Sequence, residues 1–562
     1  MSIRIAMAQL NYTLCDFEGN LARITHAVRA AADADLIVFT ELCLSGYDPL
    51  DLVEEPDFLA RQQAALEGVL ALSREVSAAI VIGAVTPNPG PGKRLYNSLL
   101  LIERGEIKLV YHKQLLPTYN ILDDRRHYEP GPDRAAVHEI KGVRVGFLIC
   151  EDSWNAQGVD YSVDPTRAIA AAGVDLIVSI NASPSDVTNV PARHAALTRA
   201  AQFAGRPVLF VNQVGGNDQI VFDGGSFAVH PVQGIVYRMP MFEEAVGRLT
   251  FNTVGGLQRD GARLDQPVAD ALSDSEFYYR QIVLGLRDYV RKVGFKQVLV
   301  GSSGGIDSAL TLALAVDALG AENVTAITMP SQFSSAGSVD DSATLCANLG
   351  VRLLKHPIAG LVANYRDEFE RQFETAASKL TVENLQARIR GTILMEYANH
   401  FGPLLLTTGN KSEISVGYCT LYGDTNGGLN IIGDLYKTEV FALARYYNQH
   451  HGREVIPQVI IDKAPSAELS EGQKDTDSLP PYPVLDEILK LHVEGERLRP
   501  DEYAHAAAFV AGLRAAGKGA LVDQIVRMVA RAEFKRRQAP PIIRVRSRAF
   551  GTGRQMPIAA KY

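Results

Sequence analysis

The first 255 residues alternate between short apolar runs and stretches in which apolar positions recur every three or four residues. Short apolar runs are typical of strands, and the second spacing is typical of helices. Predicted strands cover residues 3–10, 36–40, 80–85, 97–103, 107–111, 143–149, 176–180 and 208–212. Predicted helices cover residues 20–32, 58–76, 165–172 and 193–203. Strands joined by helical crossovers indicate a layered α/β domain over residues 1–255.

The pattern changes in residues 256–273, where strand spacing is lost and Gly, Asp and Pro are frequent. We interpret this stretch as a linker to a second domain, residues 274–562. Predicted strands resume at residues 297–300, 324–329, 352–355 and 404–408, and predicted helices at 309–319, 338–349, 385–399 and 438–450. This alternation predicts a doubly wound parallel sheet, in which ligands bind beyond the carboxyl ends of the strands.

Composition and charge exclude several classes of binding partner. The 562 residues are 47% hydrophobic and 21% charged, and the formal net charge is −8. A long basic run is missing apart from the tail around residues 534–548, so we do not expect a nucleic-acid partner. The five cysteines lack CxxC spacing, which argues against a zinc site and favours a reducing cytoplasm. No apolar run reaches the roughly 18 residues of a membrane span, so we expect no membrane partner.

A glycine-rich turn joins the predicted strand at 297–300 to the following helix. Such a turn directs backbone N–H groups and the positive helix end toward one point, which suits phosphate. A carboxylate in this cradle repels phosphate unless a cation such as Mg²⁺ lies between them. The turn residues are Gly301, Ser302, Ser303, Gly304, Gly305, Ile306, Asp307 and Ser308.

The motif Ser-Gly-Gly-x-Asp-Ser is neither a Walker loop nor the dinucleotide fingerprint GxGxxG. It resembles the PP-loop of the ATP pyrophosphatases, which activate an acid as its adenylate. The resemblance implies ATP as a co-substrate and Mg²⁺ as the cofactor. An ordinary strand–helix turn is the alternative interpretation.

Three polar residues stand at the ends of predicted strands in the first half: Glu41, Lys113 and Cys150. A cysteine is a nucleophile as the thiolate, a nearby cation favours that form, and a carboxylate can take the proton. Each residue alone also has a structural interpretation, since buried cysteines usually pack and strand-end charges are usually solvated.

The sequence around each of these residues resembles the Glu, Lys and Cys blocks of the nitrilase superfamily. The resemblance implies a four-layer α-β-β-α sandwich that hydrolyses a carboxamide through a thioester. Cys150 is then the nucleophile, Glu41 the general base and Lys113 the oxyanion stabiliser. The positions that would hold glutamine are Tyr119, Glu151 and Ser183. The family often has a second glutamate after the lysine block, where this chain has Asp124.

Blocks in the second half resemble the ammonia-ligating domain of the NAD synthetases. The resemblance implies that Thr408 joins the glycine turn in binding ATP, and that Asp307 and Glu413 hold the metal. The positions implied for the dinucleotide substrate are Arg390, Asn410, Glu413, Asp424, Lys437 and Ser466.

The order of the two domains resembles the glutamine-dependent NAD synthetase family. The resemblance implies that glutamine supplies ammonia, that ATP adenylates nicotinic acid adenine dinucleotide, and that amidation yields NAD, AMP and pyrophosphate. It also implies a homo-oligomer. Two alternatives stay open: an adenylating amidotransferase for another carboxylic acid, and a non-catalytic scaffold.

Overall fold

The computed structural model describes residues 1–156, 160–268 and 272–561. They form two compact units, of which the first comprises Met1–Ser185 with Asn189–Ala271 and the second comprises Asp186–Thr188 with Leu272–Tyr562. Within the described ranges, no helix has the length and apolar character needed to cross a bilayer.

The first unit is rich in strands. These are β1 (Ser2–Gln9), β2 (Leu36–Val38), β3 (Ala79–Pro87), β4 (Leu95–Glu103), β5 (Glu106–His112), β6 (Ala136–Ile140), β7 (Val143–Ile149), β8 (Leu176–Asn181), β9 (Val208–Asn212), β10 (Val214–Asn217), β11 (Ile220–Asp223), β12 (Phe227–His230), β13 (Gly234–Arg238), β14 (Ala245–Asn252), β15 (Gly256–Arg259) and β16 (Ala262–Arg263). The helices are α1 (Phe17–Ala30), α2 (Phe58–Leu72), α3 (Pro165–Ala171) and α4 (Asn189–Ala204).

Two sheets stack face to face in this unit. Their strand orders are β16-β15-β14-β1-β2-β3-β4-β5 and β13-β12-β9-β8-β7-β6. Side chains such as Ile5 and Val145 fill the space between the sheets. Helices α1 and α2 cover the outer face of the first sheet, and α3 and α4 cover that of the second. Because both faces of the central strands are buried, they appear in the sequence as continuous apolar runs. The expected α-β-β-α sandwich is confirmed.

The expected linker at residues 256–273 contains regular structure. Strands β15 and β16 extend the first sheet beyond β14, and Phe251 pairs with Leu257, which is buried in the core between the sheets. Residues 256–263 therefore belong to the first sheet and are not a linker. The two strands are short and lie at the sheet edge, so polar residues dominate and no apolar run marks them.

The second unit contains a parallel sheet with helices. Its strands are β17 (Val298–Gly301), β18 (Val324–Thr328), β19 (Arg352–Lys355), β20 (Leu404–Thr407) and β21 (Leu429–Asn430). Its helices are α5 (Asp274–Val293), α6 (Ile306–Leu319), α7 (Ala336–Leu349), α8 (Ala359–Phe373), α9 (Lys379–Phe401), α10 (Lys411–Val416), α11 (Lys437–His450), α12 (Gln458–Asp462), α13 (Tyr482–Leu489), α14 (Pro500–Leu513), α15 (Gly519–Arg531) and α16 (Glu533–Arg536).

The strand order of this sheet is β19-β18-β17-β20-β21, and every pairing is parallel. The first strand of this sheet in sequence order, β17, is central, and the direction of winding reverses between β17 and β20. The predicted doubly wound sheet is confirmed. Its switch point lies where the glycine turn leaves β17.

A layer of helices is formed by residues that come after the last strand of the sheet in the sequence. Helices α13 and α15 share an apolar cluster with α10 that includes Leu485, Ile525 and Val529. The predicted elements end at residue 450, so this layer was expected only as a tail.

Candidate active sites

Lys113 lies between two carboxylates in the first unit. Its Nζ is 2.7 Å from Glu41 Oε1 and 2.7 Å from Asp124 Oδ2, and all three side chains are at most 1% exposed. Burial by itself lowers the pKa of Lys113, but the charges of Asp124 and Glu41 outweigh it and hold this pKa well above the usual value. The ammonium group therefore stays charged.

Glu41 is held at both carboxylate oxygens. Oε1 accepts hydrogen bonds from Lys113 and from Asn97 Nδ2, the latter at 2.8 Å. Oε2 accepts one from the backbone N–H of Ala182 at 3.0 Å. Since three donors fix the carboxylate in one orientation, Glu41 presents a defined basic atom.

Asp124 takes the place where a longer glutamate was expected. Its Oδ2 accepts from Lys113, and its Oδ1 accepts from Tyr47 OH at 3.0 Å. The shorter side chain thus reaches the lysine, and the sequence difference leaves the charge arrangement intact.

Cys150 follows β7 at a sharp turn. Its φ of 46° lies in the left-handed region, which is uncommon for a residue with a Cβ and occurs at functional turns. Desolvation raises the pKa of the thiol, Glu41 acts in the same direction, and Lys113 opposes both. The charges of the other two predicted catalytic residues, Glu41 and Lys113, therefore both act on the thiol of Cys150.

Asp152 holds the turn that carries the thiol. It accepts hydrogen bonds from the backbone N–H groups of Gln114 and Leu115, at 3.0 and 2.9 Å, and from Tyr111 OH at 2.8 Å. Burial raises the pKa of Asp152 to about 7. This residue joins the cysteine turn to the segment directly after Lys113.

Of the positions predicted for glutamine, Tyr119 and Glu151 contact each other. The Glu151 carboxylate accepts from Tyr119 OH at 3.0 Å and from Tyr161 OH at 2.8 Å. Ser183 is buried and donates its backbone N–H to Asn212 Oδ1 at 2.9 Å. Tyr161 was not predicted, because it stands in a loop without periodic pattern.

The glycine turn of the second unit is closely packed. Gly304 has φ 74°, and a Cβ there would lie 2.3 Å from the backbone oxygen of Ser338. Ser308 Oγ accepts from the N–H of Ser303 at 3.2 Å and donates to Gly305 O at 3.0 Å. In the described part of the chain, the buried hydroxyl of Ser302 has no hydrogen-bond partner. These features suit a loop whose donors receive an anion.

Residues after β20 lie beside this turn, because β17 and β20 are parallel neighbours and Val300 pairs with Leu406. Thr408 follows β20 at the same edge of the sheet. Asn410 Nδ2 donates to Asp307 Oδ1 at 3.0 Å, and Asn410 Oδ1 accepts from the N–H of Glu413 at 3.0 Å. Asn410 is thus the N-cap of α10 and the connection between the two predicted metal ligands.

Lys437 lies between these two ligands. Its Nζ is 2.5 Å from Asp307 Oδ2, 3.3 Å from Glu413 Oε1 and 5.3 Å from the ring centre of Tyr482. Burial raises the pKa of Glu413, which the charge of Lys437 partly offsets. Two carboxylates that converge on one cation offer the hard oxygen donors that Mg²⁺ prefers, so the residues fit that metal.

Three predicted substrate residues make other contacts. Arg390 Nε donates to Met329 O at 3.1 Å, Asp424 Oδ1 accepts from the N–H of Thr420 at 2.6 Å, and Ser466 Oγ donates to Gln473 O at 2.5 Å. Burial lowers the pKa of Arg390 to about 10 and raises that of Asp424 to about 6. Among the described residues, no hydrogen bond joins these three to Asp307, Glu413 or Lys437.

Some residues of both sites were not predicted. Asn97 interrupts the apolar run of β4, and this polar break was an available signal. Asp152 stands two residues after Cys150, and this nearness in sequence was also an available signal. Tyr47 and Tyr482 offer none, because tertiary packing brings them to their sites.

Two protein-family models match the chain. The carbon-nitrogen hydrolase model matches residues 4–259, and the NAD synthase model matches residues 278–539. The glutamine-dependent NAD(+) synthetase of Synechocystis sp. is 43% identical over 568 residues, covering 99% of each chain. That of Thermotoga maritima is 37% identical over 590 residues, covering 100% of this chain and 99% of the relative.

A solved structure of glutamine-dependent NAD+ synthetase from Acinetobacter baumannii, in complex with adenosine diphosphate, is 36% identical with a TM-score of 0.76. The alignment covers 99% of this chain and 98% of that one. Both domains, their order and full-length similarity agree with the geometry above. The chain belongs to the glutamine-dependent NAD(+) synthetase family.

Proposed function

We propose that this protein makes NAD from nicotinic acid adenine dinucleotide, with ATP and with ammonia from glutamine. The observation that carries the proposal is the presence, in one chain, of two different sites. In one, Cys150 responds to the charges of Glu41 and Lys113, and in the other, the carboxylates of Asp307 and Glu413 meet Lys437 next to the glycine-rich turn.

The first unit releases the nitrogen. Glu41 takes the proton of Cys150 as sulfur attacks the glutamine amide, and the charged Lys113 stabilises the oxyanion. The proton returns to the departing nitrogen, so ammonia leaves and a thioester remains. Water then attacks the thioester, Glu41 accepts its proton, and glutamate and the free thiol are restored.

The second unit activates the acceptor. The glycine turn and the hydroxyls of Ser302, Ser303 and Ser308 bind the phosphates of ATP, with Thr408 at the same strand edge. The substrate carboxylate attacks the α-phosphorus, pyrophosphate leaves, and ammonia then displaces AMP from the acyl group. Lys437 offsets the charge of the two anions that meet there. Mg²⁺, held by Asp307 and Glu413, would supply further charge neutralisation.

Arg390, Asp424 and Ser466 bind the dinucleotide in this proposal, together with Asn410. Arg390 lies on α9, the helix that precedes β20, and Asn410 follows β20. Asp424 and Ser466 lie in the segments that follow α10 and α12. The half-buried charge of Arg390 suits a phosphate partner, since a guanidinium pairs well with phosphate.

The proposal includes a homo-oligomer in the cytoplasm. Apolar side chains are exposed on α8 and α9, and apolar patches commonly mark protein interfaces. These are Leu361, Tyr365, Phe373, Leu380, Met395 and Phe401. All five cysteines are free, which suits a reducing compartment.

Two variants test the division of labour. Cys150→Ala removes the nucleophile, so we expect glutamine-dependent synthesis to fall at least about 10⁴-fold while synthesis with ammonium chloride stays within twofold of the unaltered protein. Asp307→Ala removes a metal ligand, so both nitrogen sources should give at least about 100-fold less product. The measurement is NAD formed from nicotinic acid adenine dinucleotide.

Cys15→Ala is the matched control, because Cys15 packs beside the cluster of α1 and α2. It should leave both rates near those of the unaltered protein. Loss of ammonium-dependent synthesis in a folded Cys150→Ala protein would refute the proposed separation of the two reactions.

A further inference from the structure

Glu151 is a buried carboxylate beside the nucleophile, and neutral groups hold it. It is 5% exposed and directly follows Cys150 in the chain. Oε1 accepts from Tyr161 OH at 2.8 Å and from Tyr119 OH at 3.2 Å, and Oε2 accepts from Tyr119 OH at 3.0 Å. Two phenols therefore orient this side chain without cancelling its charge.

A cationic partner for Glu151 is missing within the part of the chain that the structure describes. Lys113 acts on it at longer range, but its ammonium is engaged by Glu41 and Asp124. A buried charge without a counter-charge is costly, so this carboxylate favours a ligand that brings a positive charge. Glutamine carries such a charge in its α-ammonium group, which simple amides lack.

Tyr161 is itself held by one buried side chain. Asn155 is 1% exposed, and its Nδ2 donates to the backbone oxygens of Tyr161 and Val163 at 3.1 and 2.6 Å. Its Oδ1 accepts from the N–H of Tyr161 at 3.3 Å and from that of Asp160 at 3.0 Å. The Tyr161 hydroxyl is thus presented to Glu151 by a defined backbone.

We propose that Tyr161 is a positioning residue that, with Tyr119, holds Glu151 for the α-ammonium group of glutamine and so selects glutamine over amides without that group. This inference rests on the proposed glutaminase function. An arginine in place of either phenol would neutralise Glu151, whereas a hydroxyl fixes its direction and leaves the negative charge available.

The test compares two amides that differ only in the α-amino group: glutamine and glutaramate. Tyr161→Phe removes one hydroxyl and preserves the ring. We expect kcat/KM for glutamine hydrolysis to fall about 10- to 100-fold, mainly through KM, since this hydrogen bond is to a charged group. The kcat/KM for glutaramate should change less than twofold. The full-length protein is used, and urea unfolding followed by circular dichroism reports that each variant is folded.

Two further variants sharpen the result. Asn155→Ala releases the backbone of Tyr161 and should shift the preference for glutamine in the same direction. Tyr237→Phe is the matched control in the same unit, and the preference should stay unchanged.

The outcomes separate the two claims. Equal loss for glutamine and glutaramate in Tyr161→Phe, or equal use of the two amides by the unaltered protein, would overturn the role of Tyr161. Absence of hydrolysis of either amide by the unaltered protein would instead refute the glutaminase function.

Discussion

Each unit contains a lysine held between two carboxylates, yet the two clusters differ in access. Around Lys113, both carboxylates are fully buried. Around Lys437, the side chains of Asp307 and Glu413 each remain 18% exposed. In the first cluster, Lys113 and the two carboxylates are paired with one another. In the second, they stay within reach of a ligand.

This difference in access corresponds to a difference in chemistry. Acyl transfer from an amide needs a fixed base and a fixed cation, so the first cluster gains from excluding solvent. Phosphoryl and adenylyl transfer need metal and phosphate to enter, so the carboxylates must be able to exchange partners. Equal charge patterns therefore support different reactions when their exposure differs.

Removal of each lysine is expected to have unequal effects on stability. Lys113→Met leaves two buried carboxylates without a cation, so the free energy of unfolding should fall by about 3–5 kcal/mol. Lys437→Met should cost less than half as much, because water and added Mg²⁺ reach its carboxylates. Urea unfolding followed by circular dichroism measures both variants, with and without Mg²⁺. Equal losses, or an equal gain in stability from Mg²⁺ in the two variants, would contradict the comparison.

Asp124→Asn changes the first cluster without altering its shape. One charge beside Lys113 is lost, so its pKa should fall and the ammonium should be held less firmly. We expect glutamine hydrolysis to decrease about 100-fold, within the usual range for a group that supports acid–base catalysis. Ammonium-dependent synthesis should not change. Asp123→Asn, at the exposed neighbouring position, is the control, and equal effects of the two substitutions would argue against this role.

The smallest expected effect concerns the thiol. Because Lys113 is already neutralised by two carboxylates, desolvation dominates and raises the pKa of Cys150. The thiolate fraction is therefore small at neutral pH and grows about tenfold for each pH unit below the pKa. The rate at which iodoacetamide inactivates glutamine hydrolysis should still be rising at pH 9, which lies above the usual thiol pKa of about 8.5. If this rate reached a plateau below pH 8, the charge of Lys113 would outweigh desolvation in setting the pKa of Cys150.

Much of both sites was predictable where regular elements carry the residues. Glu41, Lys113 and Cys150 follow apolar strands, and strand ends of stacked sheets meet at one edge. Asp307 and Glu413 follow β17 and β20, which are parallel neighbours. In both cases the apolar pattern determines the strand, and the strand determines where the next polar residue lies.

Other parts carry no such signal. Strands β15 and β16 are short, polar edge strands, so their pairing with β14 depends on tertiary contact. Tyr161 reaches Glu151 from a loop, and its position depends on Asn155. Helix α15 is an exception, because Val522, Ile525 and Val529 have helical spacing that the prediction overlooked.

The contact between Lys437 and the ring of Tyr482 has a consequence for shortened forms of the protein. Tyr482 begins α13, and its hydroxyl donates to Asp475 Oδ2 at 2.7 Å. A chain ending before residue 482 would keep all five strands of the parallel sheet and the glycine turn. It would nevertheless lose the aromatic ring that packs against the ammonium group of Lys437. We therefore expect shortened forms to need the helices that follow the sheet for full synthetase activity.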